Sequence, residues 1–381
     1  MVDNRIERRP VAERAILVGL DFGQSGFEES LEELGLLAQS AGVIPGLAVR
    51  GKRAKPDPAL FAGSGKVDEI REMAEREQAE LVIFNHELSP AQERNLEKEL
   101  GVRVVDRATL IIDIFAQRAK SHEGKLQVEL AQLERASTRL IRGWTHLERQ
   151  RGGTGFLGGM GETQLEIDRR LIGKRVKLLK DNLARLKKQR DVQRRSRTRG
   201  GVLSVSLVGY TNAGKSTLFN RLTHAGSYAA DQLFATLDTT SRRLYMDGAG
   251  QIVVSDTVGF IRDLPHTLID AFRATLEETV HADLLIHVVD AASPVRDEQI
   301  DEVNKVLEEI GAGAIPQILA WNKIDRTSME KGVERDEYGK ISRVRLSAKT
   351  GEGLEEMRQA LTEFAAAWPR SNGVAPAEYR A

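Results

Sequence analysis

The chain has 381 residues, and its 56 Lys plus Arg are balanced by 56 Asp plus Glu, so total charge draws it toward no polyanion. It contains no cysteine, which excludes disulfides and thiolate metal sites and suits a reducing compartment. No run approaches the roughly 20 apolar residues of a membrane span, and Met1-Val2-Asp3-Asn4-Arg5 leads into no apolar signal core. The expectation is a cytoplasmic protein of two or three domains, with only peripheral membrane association open to it.

Residues 1–120 alternate short apolar runs with helical patterns. Strands are expected over 15–20, 43–50, 81–84 and 102–105, and helices over 27–40, 67–77 and 91–100. This reads as a small N-terminal α/β domain. Its segment Phe61-Ala62-Gly63-Ser64-Gly65-Lys66 looks like a phosphate loop, but no strand runs directly into it, so a tight turn before a helix is the better reading.

Residues 121–200 carry two seams of alternating four and three spacing. Leu126, Leu130, Leu133, Ser137, Leu140, Trp144 and Leu147 form one; Ile172, Val176, Leu179, Leu183 and Leu186 form the other. They predict an antiparallel helical hairpin whose tip is the glycine-rich stretch 151–161. The second arm is basic, with fourteen Lys or Arg between Arg169 and Arg199 against Asp181 and Asp191. A solvated helix face would be better served by mixed signs, so the one-sign stripe points to a nucleic-acid phosphate backbone. A loop-like tip suits RNA better than a DNA groove.

Residues 201–368 hold the chemistry. The apolar run 202–208 leads into Gly209-Tyr210-Thr211-Asn212-Ala213-Gly214-Lys215-Ser216, and a helical pattern follows. This strand, loop and helix order is what a P-loop needs: backbone N–H groups turn toward phosphates, and the helix start adds partial positive charge there. Lys215 is expected on the β- and γ-phosphates and Ser216 on Mg²⁺. The run 252–255 then delivers Asp256-Thr257-Val258-Gly259. Asp256 is the second Mg²⁺ partner, through water, and Gly259 lets a backbone N–H approach the γ-phosphate.

Base choice falls to Asn322-Lys323-Ile324-Asp325. A carboxylate at Asp325 accepts from both N1–H and the exocyclic amine of guanine, a donor pair that adenine lacks, so the site favours GTP over ATP. Asn322 suits N7 and O6, the stem of Lys323 suits the purine face, and Ser347-Ala348-Lys349 offers a backbone N–H to O6. Between the P-loop helix and Asp256 lies the loop 228–240, placed as a γ-phosphate sensor, with Phe234, Ala235, Leu237 and Asp238 around the nucleotide. Thr236, Thr239 and Thr240 are all candidates to close onto Mg²⁺. Phe260 stands where many GTPases carry the glutamine that orients water. Whether or not its ring packs under the following loop, it cannot hydrogen-bond water, so intrinsic turnover should be slow and completed by another group.

These motifs together resemble the HflX family of ribosome-associated GTPases, within the group that includes the Obg-type proteins. The likeness rests on Gly161-Glu162-Thr163-Gln164-Leu165-Glu166 with Asp168-Arg169-Arg170, on Leu233-Phe234-Ala235-Thr236-Leu237-Asp238, and on Asp256-Thr257-Val258-Gly259-Phe260-Ile261. The resemblance implies docking on the 50S subunit with the tip near ribosomal RNA, action on stalled or idle ribosomes or in subunit assembly, and Thr236 as the switch ligand to Mg²⁺. Gly158, Met160 and Thr239 depart from the family pattern of arginine, proline and proline at those places. The whole is read as α/β: a P-loop GTPase domain with a mixed, mostly parallel sheet, preceded by the small α/β domain and the hairpin and followed by a polar tail, 369–381. No self-complementary apolar helix is left over, so the free protein is expected to be a monomer.

Overall fold

The computed structural model describes residues 13–23, 25–142, 164–199, 202–223, 233–248, 250–262 and 273–368. The hairpin tip 151–161, the motif residues Glu162 and Thr163, the switch-loop start 228–232 and the tail 369–381 lie outside the described residues. The chain divides into two compact units, Met1–Gln117 with Glu134–Leu171, and Arg118–Leu133 with Ile172–Ala381.

The first unit contains β1 (Arg14–Asp21), α1 (Phe27–Ser40), β2 (Ile44–Lys52), α2 (Ser64–Arg76), β3 (Leu81–Phe84), α3 (Pro90–Leu100), β4 (Arg103–Asp106) and α4 (Arg107–Arg118). Its parallel sheet has the order β2-β1-β3-β4. β3 is Leu-Val-Ile-Phe, buried throughout, as a parallel strand covered on both faces must be. Val82 and Phe84 pack with Ile70 of α2 and Leu96 of α3 to form the core. The Phe61–Lys66 segment is the tight turn that was read: Phe61 and Gly63 take φ of 57° and 79°, and α2 starts at Ser64.

Helix α4 was not read from the sequence. Asp106 both ends β4 and caps α4, its Oδ1 accepting the Thr109 N–H at 2.9 Å. The strand therefore passes into the helix with no intervening loop, and Leu110-Ile111-Ile112 has no turn signal before it. The Asp-x-x-Thr spacing of an N-cap was the available clue.

The hairpin helices are α5 (His122–Arg142) and α6 (Gln164–Arg199), of which the second unit holds the parts up to Leu133 and from Ile172; there follow β5 (Leu203–Val208), α7 (Lys215–Thr223), β6 (Thr240–Met246), β7 (Gly250–Asp256), α8 (Arg273–Val280), β8 (Leu284–Asp290), α9 (Arg296–Glu309), β9 (Gln317–Asn322), β10 (Gly332–Arg335), β11 (Ile341–Arg345) and α10 (Leu354–Ala367). The hairpin seam is as expected over these residues: Leu126, Leu130 and Leu179 are buried together, flanked by Leu133, Val176, Leu183 and Leu186. Pairing of Glu123 with Arg190 at 2.5 Å and of Glu129 with Arg175 at 2.6 Å runs in opposite chain directions, which makes the arms antiparallel.

Among the described residues the sheet of this unit has seven strands in the order β10-β11-β9-β8-β5-β7-β6. The inner strands are parallel, while β6 and β10 pair antiparallel at the edges. Leu207, Val254, Ile286, Val288 and Phe219 form its core. The carboxyl ends of β5, β7, β8 and β9 consequently come together along one rim, where ligands of open α/β sheets sit.

Candidate active site

The P-loop leaves β5 at Gly209 and enters α7 at Lys215. Gly214 has φ 98°, and a Cβ there would run into the Asn322 amide, so this position needs glycine on both counts. The Lys215 ammonium is buried and folds back over the loop, donating to Gly209 O at 3.0 Å and Tyr210 O at 2.7 Å. Burial pulls its pKa down to about 8, against the opposing pull of the Asp256 carboxylate. A cavity forms around this lysine. It is walled by Thr211, Asn212, Gly214, Ser216 and Thr217 from the P-loop side, by Phe234, Ala235 and Thr236 from the switch loop, and by Thr257 and Gly259 after β7.

Gly259 is held close: a Cβ there would lie 2.9 Å from both Lys215 Nζ and Thr211 Cα. Backbone bonds from Thr211 N to Phe260 O, 2.7 Å, and from Phe260 N to Gly209 O, 3.1 Å, staple this turn to the P-loop. The Phe260 ring is 1% exposed. It packs in the interior and is not among the residues that wall the cavity, while the loop that follows it, 263–272, lies outside the described residues.

Ser216, Thr236 and Asp256 converge. Ser216 Oγ lies 2.7 Å from Thr236 Oγ1 and donates to Asp256 Oδ2 at 2.7 Å, and Thr236 Oγ1 donates to the same oxygen at 3.0 Å. Asp256 is buried, its Oδ1 has no partner, and burial raises its pKa despite the two hydroxyl bonds. A buried carboxylate with an unpartnered oxygen, next to two hydroxyls, is the hard-oxygen donor set that suits Mg²⁺. Of the three threonines offered by the sequence, the structure brings Thr236 here; Thr240 begins β6.

The residues expected to read guanine are tied to the P-loop and to one another rather than lining its cavity. Asn322 Nδ2 donates to Ala213 O at 2.8 Å and its Oδ1 accepts the Ala348 N–H at 2.8 Å. One amide hydrogen of Asn322 is thus committed to the P-loop, and the Ala348 N–H, one of the donors expected to face O6, bonds to Asn322. Lys323, at φ 66°, pairs with Asp290 at 2.7 Å, and Ser347 Oγ donates to Asp325 Oδ1 at 2.6 Å. Ile324 is buried.

Two site residues escaped the sequence reading. Arg221 of α7 donates to Ala348 O at 3.0 Å and Lys349 O at 2.6 Å, and Asp290 anchors Lys323. Neither lies in a motif and each acts across more than thirty positions, so only the Asp at a strand end could have drawn notice. One expected ligand-side residue points elsewhere. The Asp238 carboxylate accepts the N–H groups of Lys120 and Ser121 and the Ser121 hydroxyl, and it is not part of the cavity wall.

Comparison with known proteins agrees with this geometry. The chain is 55% identical to the GTPase HflX of Escherichia coli K12 over 94% of its own length and 84% of the relative's. The chain belongs to the GTPase HflX family. The HflX of Magnetococcus marinus is 45% identical over 93% of this chain and 84% of that protein. Family descriptions match in register: "GTP-binding GTPase N-terminal" over residues 28–116, "GTP-binding GTPase Middle Region" over 118–197 and "50S ribosome-binding GTPase" over 204–323. Among solved structures, the SsGBP–GDP complex aligns with TM-score 0.53 and 25% identity, covering 93% of this chain and 99% of that one. The chain is thus a GTPase, and hydrolysis of GTP falls to its P-loop GTPase domain.

Proposed function

We propose that this HflX-family GTPase is a Mg²⁺-dependent switch that docks on the 50S ribosomal subunit in ribosome rescue, splitting or assembly, as a monomer in the cytoplasm. The observation that carries the reading is the convergence of Ser216, Thr236 and Asp256 beside the buried Lys215. Bound Mg²⁺ would neutralise charge on the β- and γ-phosphates. Ser216 and Thr236 would hold it directly and Asp256 through water. Lys215 would move its ammonium from the Gly209 and Tyr210 carbonyls onto phosphate oxygens, whose negative charge would favour the ammonium form against the cost of burial. The Gly259 N–H would donate to the γ-phosphate, so that Lys215, Thr236 and Gly259 carry the reaction between them.

For the base, Asp325, held by Ser347, would accept from guanine, with Lys323 along the ring and the Lys349 N–H near O6. No side chain at position 260 can orient the attacking water, so the docked partner completes the site. The family description "50S ribosome-binding GTPase" supports that partner, as does the basic face of α6, where Arg169, Arg170, Lys174 and Lys177 are exposed. No helix among the described residues is long and apolar enough to cross a membrane.

The test is GTP turnover with and without purified 50S subunits, for the wild type and Lys215→Ala. Strong stimulation of the wild type alone is expected. A wild-type rate unchanged by 50S would overturn partner completion.

A further inference from the structure

Asp238 sits two residues beyond Thr236 and 117 positions from Ser121, yet both oxygens of its carboxylate are engaged there. It accepts the Lys120 N–H at 2.9 Å, the Ser121 N–H at 2.8 Å and the Ser121 hydroxyl. Ser121 is at the same time the N-cap of α5, its Oγ accepting the Gly124 N–H at 2.8 Å. An anion over the first turn of a 21-residue helix is favoured by the exposed N–H groups and the helix dipole. Gly124 makes room for it, since a Cβ at 124 would strike the Asp238 carboxylate and come within 3.1 Å of Ser121 Oγ.

Between the two anchors the switch loop has little slack. Thr236 is fixed to Ser216 and Asp256, Leu237 is 3% exposed, and Asp238 is fixed to the hairpin root. The root has a second attachment, an ion pair from Lys187 of α6 to buried Glu277 of α8.

We propose that Asp238 is a positioning residue that latches the switch loop to the start of α5, so that closure of Thr236 and capping of the hairpin root are one equilibrium. The inference rests on the reading of Thr236 as γ-phosphate sensor. A ligand that holds Thr236 in place stabilises the latch, and by linkage a change at the root alters the affinity for that ligand and not for one indifferent to Thr236. Residues of the helix start that touch no nucleotide thereby tune the preference for triphosphate.

The experiment measures Mg²⁺-dependent binding of GDP and of a non-hydrolysable GTP analogue to the full chain carrying Gly124→Ala, Ser121→Ala or Thr236→Ala. Alanine is the better helix former at position 124, so a folding defect is not expected there; unchanged GDP binding reports on folding in Gly124→Ala and Ser121→Ala, and the urea midpoint reports on it in Thr236→Ala. The latch predicts analogue affinity weakened about tenfold by Gly124→Ala and by Ser121→Ala, with GDP affinity kept within about twofold. Asp238→Ala combined with Gly124→Ala should lose no more than Asp238→Ala alone, because the methyl group then meets empty space. Hydrogen exchange gives the reciprocal readout: amides of residues 120–124 should exchange more slowly with the analogue bound than with GDP, and this difference should vanish in Thr236→Ala. If Thr236→Ala removes the discrimination between the two nucleotides while Gly124→Ala and Ser121→Ala keep it, the latch is wrong and the sensor stands. If Thr236→Ala keeps the discrimination, the sensor reading fails first.

Discussion

The two units each carry a sheet, wholly parallel in the first and mostly parallel in the second, and a glycine-lysine turn that starts a helix, but they set the two lysines in different surroundings. At Gly209–Ser216 the strand β5 feeds the loop directly, the lysine is buried over the loop carbonyls, and a carboxylate and two hydroxyls stand next to it. At Phe61–Lys66 the lysine is partly exposed, donates to Arg50 O at 2.9 Å and pairs with Glu69 at 2.6 Å on its own helix. The glycines are alike in allowing positive φ. What differs is the strand feeding the turn and the desolvated charge that results. A glycine-lysine signature states where a backbone can turn, and the chemistry comes from the buried ionisable partners.

The largest effect that can break this contrast is a pair of alanine substitutions. Lys215→Ala should lower GTP turnover by about 10²-fold or more, while Lys66→Ala should leave it within about twofold; steady-state phosphate release measures both. Comparable losses would show that the two turns share one function. Next comes the buried ring that follows Gly259. Phe260→Ala removes a ring buried to 1% exposure and should destabilise the protein by about 3–5 kcal/mol, read from the shift in urea midpoint.

The smallest effect sharpens the contrast through pH. His287, buried in β8, has its pKa lowered to about 4 by burial, with Gln317 opposing and the Lys215 charge assisting. The unfolded chain binds its proton near pH 6.5 and the folded chain near 4, so stability present above 6.5 is lost as pH falls through that window. Denaturant midpoints of the wild type should fall between pH 6.5 and 4, and those of His287→Gln should fall less.

Much of the site was legible because each motif is a short contiguous piece whose chemistry is local. Gly209–Ser216, Asp256–Gly259, Asn322–Asp325 and Ser347–Lys349 need only a strand before them to be read. What the sequence hid is the tie between pieces. Asn322 reaches back 109 positions to Ala213, Arg221 forward 127 to Ala348, and Asp238 back to the hairpin root. Such bonds depend on which strands become neighbours, and the order β9-β8-β5-β7 is set by the whole core rather than by any one segment. Helix α4 escaped for the opposite reason, being too closely joined to β4 to show a boundary. Phe260 could be read as unable to hold water, but only its neighbours decide that the ring turns inward.

The most direct measurement is calorimetric titration of GTP and ATP analogues, with Mg²⁺, into the wild type and Asp325→Asn. Guanine should be favoured by about 10⁴-fold in the wild type, since adenine leaves the Asp325 acceptor without its donor pair, and the margin should collapse in the variant. Equal affinity for the two purines in the wild type, with no change on Asp325→Asn, would contradict the assignment of this rim as a guanine-nucleotide site.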